Sequence, residues 1–224
     1  MTRLLLVCLC ALIAIPSLAR AGDSYTDAIE SIEKERASFA ARSRLTAADS
    51  ASAESKLVAA VGRLARHWLG TTWGLGLPQS STPKVGKINC GTFVGRILED
   101  AGFVLNVKKL QRQPSQLIIE SFVGRSRMKK FSNAAMTKFL ADVRSMGPGL
   151  FIIGLDFHVG FLLQTDRDLR FVHASYITKT VVDEPAATAI PIVTSKYRVV
   201  GKILSPKNLE AWIKRRRIQI RGNW

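Results

Sequence analysis

The hydrophobic and polar positions after the N-terminal region follow a helical period. Residues 24–68 are rich in Ala, Glu, Lys and Arg, contain no Pro, and carry apolar residues at i, i+3/i+4 spacing. This pattern predicts two helices. The first begins near Ser24, and the second follows an interruption at residues 46–50 with Ser52 as its N-cap. Glycine and proline dominate residues 70–87, which predicts an irregular surface segment.

A third helical stripe begins directly after that segment, at Cys90, and Gly102 is a natural stop. Residues 103–146 form a basic insert that is predicted to be mostly helical. One of its helices opens at Gln113-Pro114-Ser115 and another is capped by Ser132.

The period changes from helical to alternating after Gly149. Residues 165–168 form a turn signal, and a last helix is predicted from Ser205-Pro206. The short apolar runs predict an antiparallel sheet with strands at 150–155, 157–164, 169–176, 178–182 and 196–204. Helices followed by such a sheet indicate the α+β class.

The N-terminus has the pattern of a signal peptide. Arg3 precedes an apolar run at residues 4–15, and Ala19-Arg20-Ala21 offers a small-x-small cleavage site. A membrane span needs about 20 residues, so this run is too short for one, and no later stretch is apolar for long enough. We expect cleavage after Ala21 and a periplasmic or secreted protein. An uncleaved anchor is the alternative.

Composition and charge narrow the class of protein. The chain has 224 residues, 47% of them hydrophobic and 22% charged, which excludes collagen-like, disordered and disulfide-scaffold classes. We predict a signal peptide at residues 1–21, an N-terminal helical segment at 22–69 and a catalytic domain at 70–224. The formal net charge of +16 favours an anionic partner. Nucleic acid is the obvious rival, but export and the absence of a recognisable nucleic-acid module count against it.

Removal of the leader would leave a single cysteine, because Cys8 and Cys10 both lie in it. Exported compartments are oxidising, and an unpaired Cys90 is therefore either an inert buried residue or a reactive thiol. Its place in the first turn of a helix favours the second reading. Free backbone N–H groups and the helix dipole there are expected to favour a thiolate.

Two histidines are predicted to meet on the sheet. If the turn at 165–168 closes a hairpin with two or four loop residues, paired positions sum to 333 and His173 faces Gly160. His158 then becomes its diagonal neighbour, with Cβ atoms about 7 Å apart. Phe157 and its alternate neighbours would face the core. A lone histidine in a helix, His67, is taken as structural.

A cysteine with two such histidines fits thiol catalysis. Cys90 would be the nucleophile, His158 the general base and acid, and His173 the residue that orients His158. The backbone N–H of Cys90 and the Asn89 side chain would form the oxyanion site.

At these positions the chain resembles the NlpC-type cell-wall cysteine peptidases of the papain-like superfamily. The resemblance covers residues 70–183, and the order of its motifs differs from that of the permuted relatives. The motifs that carry it are Asn89-Cys90-Gly91-Thr92-Phe93, Pro148-Gly149-Leu150-Phe151, His158-Val159-Gly160 and Val172-His173-Ala174-Ser175. The chain departs from the family at Asn89, Gly91 and Trp73, where an acid, a serine and a tyrosine are usual, and by its insert at 103–146.

The resemblance implies a papain-like domain in which N-terminal helices and a catalytic helix pack on a small antiparallel sheet. It also implies hydrolysis of amide bonds in peptidoglycan stem peptides through a thioester acyl-enzyme, without metal or cofactor. Trp73, Asn89 and Gly91 would then line the oxyanion and substrate region. Two alternatives stay open: a papain-like thiol hydrolase or acyltransferase with another amide or acyl substrate, and a non-catalytic basic wall-binding protein. We expect a monomer.

Overall fold

The structure is a computed structural model and describes residues 24–223. The predicted signal peptide, with Cys8 and Cys10, lies outside the described residues. The helices are α1 Tyr25–Ala40, α2 Ala47–Trp68, α3 Cys90–Asp100, α4 Val107–Leu110, α5 Ser115–Val123, α6 Met136–Arg144, α7 Ile190–Thr194 and α8 Pro206–Ile213. The strands are β1 Thr72–Trp73, β2 Lys87–Ile88, β3 Lys129–Ser132, β4 Gly149–Leu155, β5 Val159–Gln164, β6 Leu169–Ala174, β7 Val181–Pro185 and β8 Tyr197–Lys202.

Both N-terminal helices begin with a capping box. Ser24 caps α1 together with Asp27, as its sequence predicts. The predicted cap of α2 is wrong: the helix begins at Ala47 and is capped by Thr46 with Asp49, whereas Ser52 lies inside it. The polar residues 46–50 look like a break in apolar periodicity, but Thr-x-x-Asp is itself a start signal because each side chain bonds to the other's backbone N–H.

The predicted α+β class is confirmed. Six strands form one sheet in the order β3-β8-β4-β5-β6-β7, and every neighbouring pair is antiparallel. The edge strand β3 lies in the insert predicted to be mostly helical, and the predicted cap at Ser132 is wrong: Ser132 ends β3, and α6 begins at Met136. Only Phe131 of this strand is buried. Its lysines are exposed, which is typical of an edge strand. With a single buried residue, the sequence of β3 lacks the alternation of apolar and polar residues that predicts a strand.

Helices cover both faces of the sheet. The larger apolar cluster joins α1, α2, α3, α5 and α8 to one face, through sheet residues such as Val159 and Phe161. The smaller cluster joins α6 and α7 to the other face, through residues such as Leu162 and Phe171. No helix within residues 24–223 is both long and apolar enough to cross a membrane.

Candidate active site

Cys90 lies at the start of a firmly held helix. Asn89 caps α3, its Oδ1 accepting a hydrogen bond from the Thr92 backbone N–H at 2.8 Å. Phe93, one turn further on, packs edge-on against Trp68 of α2 and Phe161 of β5, with ring centroids 6.4 and 6.2 Å apart. The cysteine is therefore fixed relative to the sheet, as a nucleophile must be.

Gly91 permits a close approach behind the cysteine. A Cβ on Gly91 would stand 3.0 Å from the Gln111 carbonyl oxygen and 3.2 Å from its Cα, both backbone atoms. The Gln111 side chain is held on the same side, because its Oε1 accepts a hydrogen bond from Thr92 Oγ1 at 2.6 Å. The absence of a side chain at position 91 thus makes room for the segment that follows α4.

The two sheet histidines meet as the predicted hairpin register requires. Phe161 pairs with Val172 and Gln164 with Leu169, so paired positions sum to 333. His158 Nε2 and His173 Nδ1 lie 2.7 Å apart in a buried hydrogen bond. Gly160 leaves the space for it, since a Cβ there would stand 2.8 Å from the His173 Cβ. The small residue between them is what lets the two rings touch.

Glu184 extends this chain of hydrogen bonds, and the sequence prediction missed it. Its Oε1 lies 2.9 Å from His173 Nε2. Glu184 pairs with Phe171 across β6 and β7, two residues from the position opposite His173, so it shares the histidine's face. The predicted strand ended at residue 182, and the loop before it sets no fixed register. A strand extended to Pro185 would have indicated it, because Glu184 lies two residues after Val182 and therefore on the same face of the strand.

These bonds fix which ring nitrogens carry protons. A carboxylate only accepts, so His173 donates from Nε2 and its Nδ1 accepts from His158 Nε2. This leaves His158 Nδ1 as the unprotonated nitrogen. It is buried and has no hydrogen-bond partner, and Cys90 Sγ is therefore not bonded to it in this conformation. Nδ1 is the atom available to take a proton.

Electrostatics give the resting site neutral groups. Burial raises the pKa of the Cys90 thiol, while hydrogen bonds from the backbone N–H groups of Val159, Gly91 and Cys90 oppose that rise. The expectation that the helix start produces a thiolate is therefore wrong for this conformation, because burial outweighs the helix end. Burial also lowers the pKa of His158 and of His173, and His173 lowers that of His158 further. These shifts favour a protonated Cys90 thiol and neutral imidazoles at His158 and His173.

Cys90 and His158 both line one cleft of about 340 Å³. Among the other predicted site residues, Asn89 and Gly91 also line it, whereas Trp73 does not, and Leu75 of the glycine-rich segment does. Phe157 is also part of the lining; it was predicted to face the core but is 93% exposed because β5 begins only at Val159. The remaining lining residues are Gln111, Gln113, Pro114, Ser115, Leu155, Asp156 and Val159.

Trp73 is held elsewhere. Its backbone N–H donates to the Lys179 carbonyl at 2.8 Å, and the Lys179 ammonium lies over its ring, 4.6 Å from the centroid. Within residues 24–223 no group of three or more His, Cys, Asp and Glu side chains is placed to hold a metal ion.

No protein-family model matches the chain, and no curated protein matches it in sequence. Among solved structures, the chain is similar to an N-acetylmuramoyl-L-alanine amidase from Bacteroides uniformis. The identity is 11%, and the match covers 67% of this chain and 98% of that chain. The TM-score of this match is 0.36, which establishes neither a shared fold nor a shared activity.

Proposed function

We propose that the protein is an exported cysteine peptidase or amidase that hydrolyses amide bonds of peptidoglycan stem peptides. The observation that carries the proposal is a hydrogen-bonded chain of three side chains whose first member, His158, shares a cleft with Cys90. Cys90 and His158 line the cleft, His158 bonds to His173, and His173 bonds to Glu184. A nucleophile, a base with a free nitrogen and a polar chain that orients the base are the parts that thiol catalysis needs.

The chemistry follows from where the protons are. When substrate is bound, Cys90 and His158 move within hydrogen-bond distance of each other. Cys90 Sγ then attacks the amide carbonyl carbon while His158 Nδ1 takes the thiol proton. The oxyanion that forms accepts from backbone N–H groups at the start of α3, including that of Cys90. The C–N bond then breaks, His158 returns the proton to the leaving amine, and a thioester stays on the enzyme.

Hydrolysis of the thioester repeats these steps with water. His158 Nδ1 takes a proton from the water as its oxygen attacks the thioester carbon. The C–S bond breaks, the carboxyl product leaves, and the proton returns to the sulfur. Both half-reactions pass through a protonated His158, and the carboxylate of Glu184 stabilises that charge through His173.

The substrate class rests on sequence features beside the site. The motifs around Cys90, His158 and His173 resemble those of NlpC-type wall peptidases, and the apolar run at residues 4–15 favours export. A net charge of +16 favours an anionic polymer, and wall stem peptides carry free carboxylates.

Replacement of Cys90 tests the proposal. Purified protein and its Cys90→Ala variant are incubated with purified sacculi, and both the released peptides and the protein bound to the sediment are measured. We expect release by the wild type only, with equal binding of both proteins. Binding without release by the wild type would support a wall-binding protein instead. Hydrolysis or transfer on simple thioesters but not on stem peptides would favour another thiol hydrolase or acyltransferase.

A further inference from the structure

A second cavity adjoins the catalytic cleft. Its volume is about 510 Å³, and it shares Gln113 and Pro114 with the cleft, so these two residues form the ridge between them. We call it the arginine cavity, because Arg125 and Arg221 line it. The other lining residues are Leu117, Glu120, Gly222 and Asn223.

One buried carboxylate positions both guanidinium groups. Glu120 of α5 is 3% exposed, and its Oε1 lies 3.5 Å from Arg125 Nε and 3.2 Å from Arg221 Nη1. The backbone around Arg221 is also pinned, since its N–H donates to Ser121 Oγ at 2.9 Å. Two segments far apart in sequence thus place one guanidinium group each beside the same buried carboxylate.

The anchor leaves an excess of positive charge and of donors. Two guanidinium groups share a single carboxylate, and the side chains of Arg125 and Arg221 are still 75% and 58% exposed. Each guanidinium has five N–H donors in a planar fork that matches a carboxylate in a bidentate fashion. The cavity therefore presents oriented donors and net positive charge toward solvent.

The basic run at residues 214–217 does not offer the same arrangement. Lys214 and Arg216 both pair with Glu210, and Arg215 pairs with Glu33. None of these residues lines the catalytic cleft or the arginine cavity. Lys214, Arg215 and Arg216 thus form ion pairs with carboxylates of α1 and α8.

We propose that the arginine cavity binds a free carboxylate of the peptide whose amide bond lies at Cys90. This rests on the proposed function. Arg125 and Arg221 then act in specificity: they hold a substrate carboxylate beyond the Gln113 and Pro114 ridge while the scissile bond lies in the cleft. An amidated peptide of the same sequence lacks the charge that the cavity recognises.

The test compares two synthetic stem peptides that differ only in one carboxylate, free in the first and amidated in the second. For the wild type we expect a KM about tenfold lower for the free acid, with similar kcat. In an Arg125→Gln, Arg221→Gln double variant this difference should disappear through a higher KM for the acid alone. A matched control, Arg215→Gln, should keep the wild-type preference.

A second pair of variants guards against loss of folding, because the double variant leaves Glu120 buried without a partner. Arg125→Lys and Arg221→Lys keep the positive charges but lose the fork, and should give an intermediate KM for the acid. Equal KM values of the wild type for both peptides, or equal effects of the variants on both, would refute the carboxylate site. The proposed function would still stand.

Cleavage of neither peptide would contradict the proposed function. In that case affinity decides, measured by calorimetry for both peptides with the wild type and the lysine variants. A preference of the wild type for the acid that the variants weaken supports the cavity, and equal affinities refute it.

Discussion

Glu184→Gln removes one charge at the far end of the hydrogen-bond chain while keeping its size. Glu184 Oε1 lies 2.9 Å from His173 Nε2, and His173 bonds to His158 at 2.7 Å. An amide oxygen still accepts from His173, so the ring tautomers are preserved. What is lost is the attraction between the carboxylate and the protonated His158 that the proposed mechanism forms in both half-reactions.

The geometry sets the size of the effect. One imidazole and two hydrogen bonds place the carboxylate about 8 Å from the His158 ring, and at an effective dielectric constant of about 20 this amounts to about 2 kcal/mol. That corresponds to a loss of about 30-fold in kcat/KM. Because the Glu184 side chain is 30% exposed, solvent screens part of the interaction, and we expect a loss between about 10-fold and 30-fold.

The assay is the initial rate of stem-peptide cleavage as a function of pH. Without the carboxylate, His158 is protonated less readily, so the acid limb of kcat/KM should move to lower pH while the plateau falls. A merely structural role for Glu184 would lower the plateau without moving the limb. Glu54→Gln is the matched control: Glu54 is 29% exposed, is paired with Lys202 at 3.6 Å, and does not line the cleft. An unchanged kcat/KM in Glu184→Gln would refute the role assigned to the carboxylate.

Two further predictions concern the space and the charge around the site. In Gly160→Ala the new Cβ meets Phe171 Cε2 at 2.6 Å and the His173 Cβ at 2.8 Å; we expect a loss of about 1–3 kcal/mol in the free energy of unfolding and a loss of activity beyond that of stability, measured by urea titration and peptide cleavage. Wild-type stability and activity in this variant would contradict the packing around the histidine pair. Since burial raises the pKa of Cys90, its thiolate fraction at pH 6 should be below that of free cysteine. Alkylation by iodoacetamide should then be slower than that of free cysteine and should accelerate as the pH rises, and faster labelling at pH 6 would show a thiolate that the structure does not.

The parts of this fold that short-range patterns determine were predictable. The start of α3 at Cys90 and the histidine hairpin depend on caps, a four-residue turn and strand alternation, all within about twenty residues. Strand β3 was not predictable in this way. Its partner β8 lies about seventy residues further along the chain, and only that pairing makes a strand of a lysine-rich segment.

The same limit applies to the candidate site, where only the residues marked by short-range patterns were predicted. Cys90, His158 and His173 are marked by residue type and by register arithmetic, whereas Glu184 depends on a strand boundary that alternation alone does not fix. The pKa shift of the thiol was predicted in the wrong direction, because position at a helix start is visible in a sequence and the burial of the side chain in the fold is not.

The position of β7 at the end of the sheet has a consequence for dynamics. In the sheet, β7 has a neighbouring strand, β6, on one side only; on its other side the segment at residues 70–73 bonds to residues 179–181, at and just before the start of β7. Edge strands open locally at lower free energy than central ones. Fraying at Glu184 would therefore separate the carboxylate from His173 while both cores stay folded, and the proposed stabilisation of a protonated His158 would be lost.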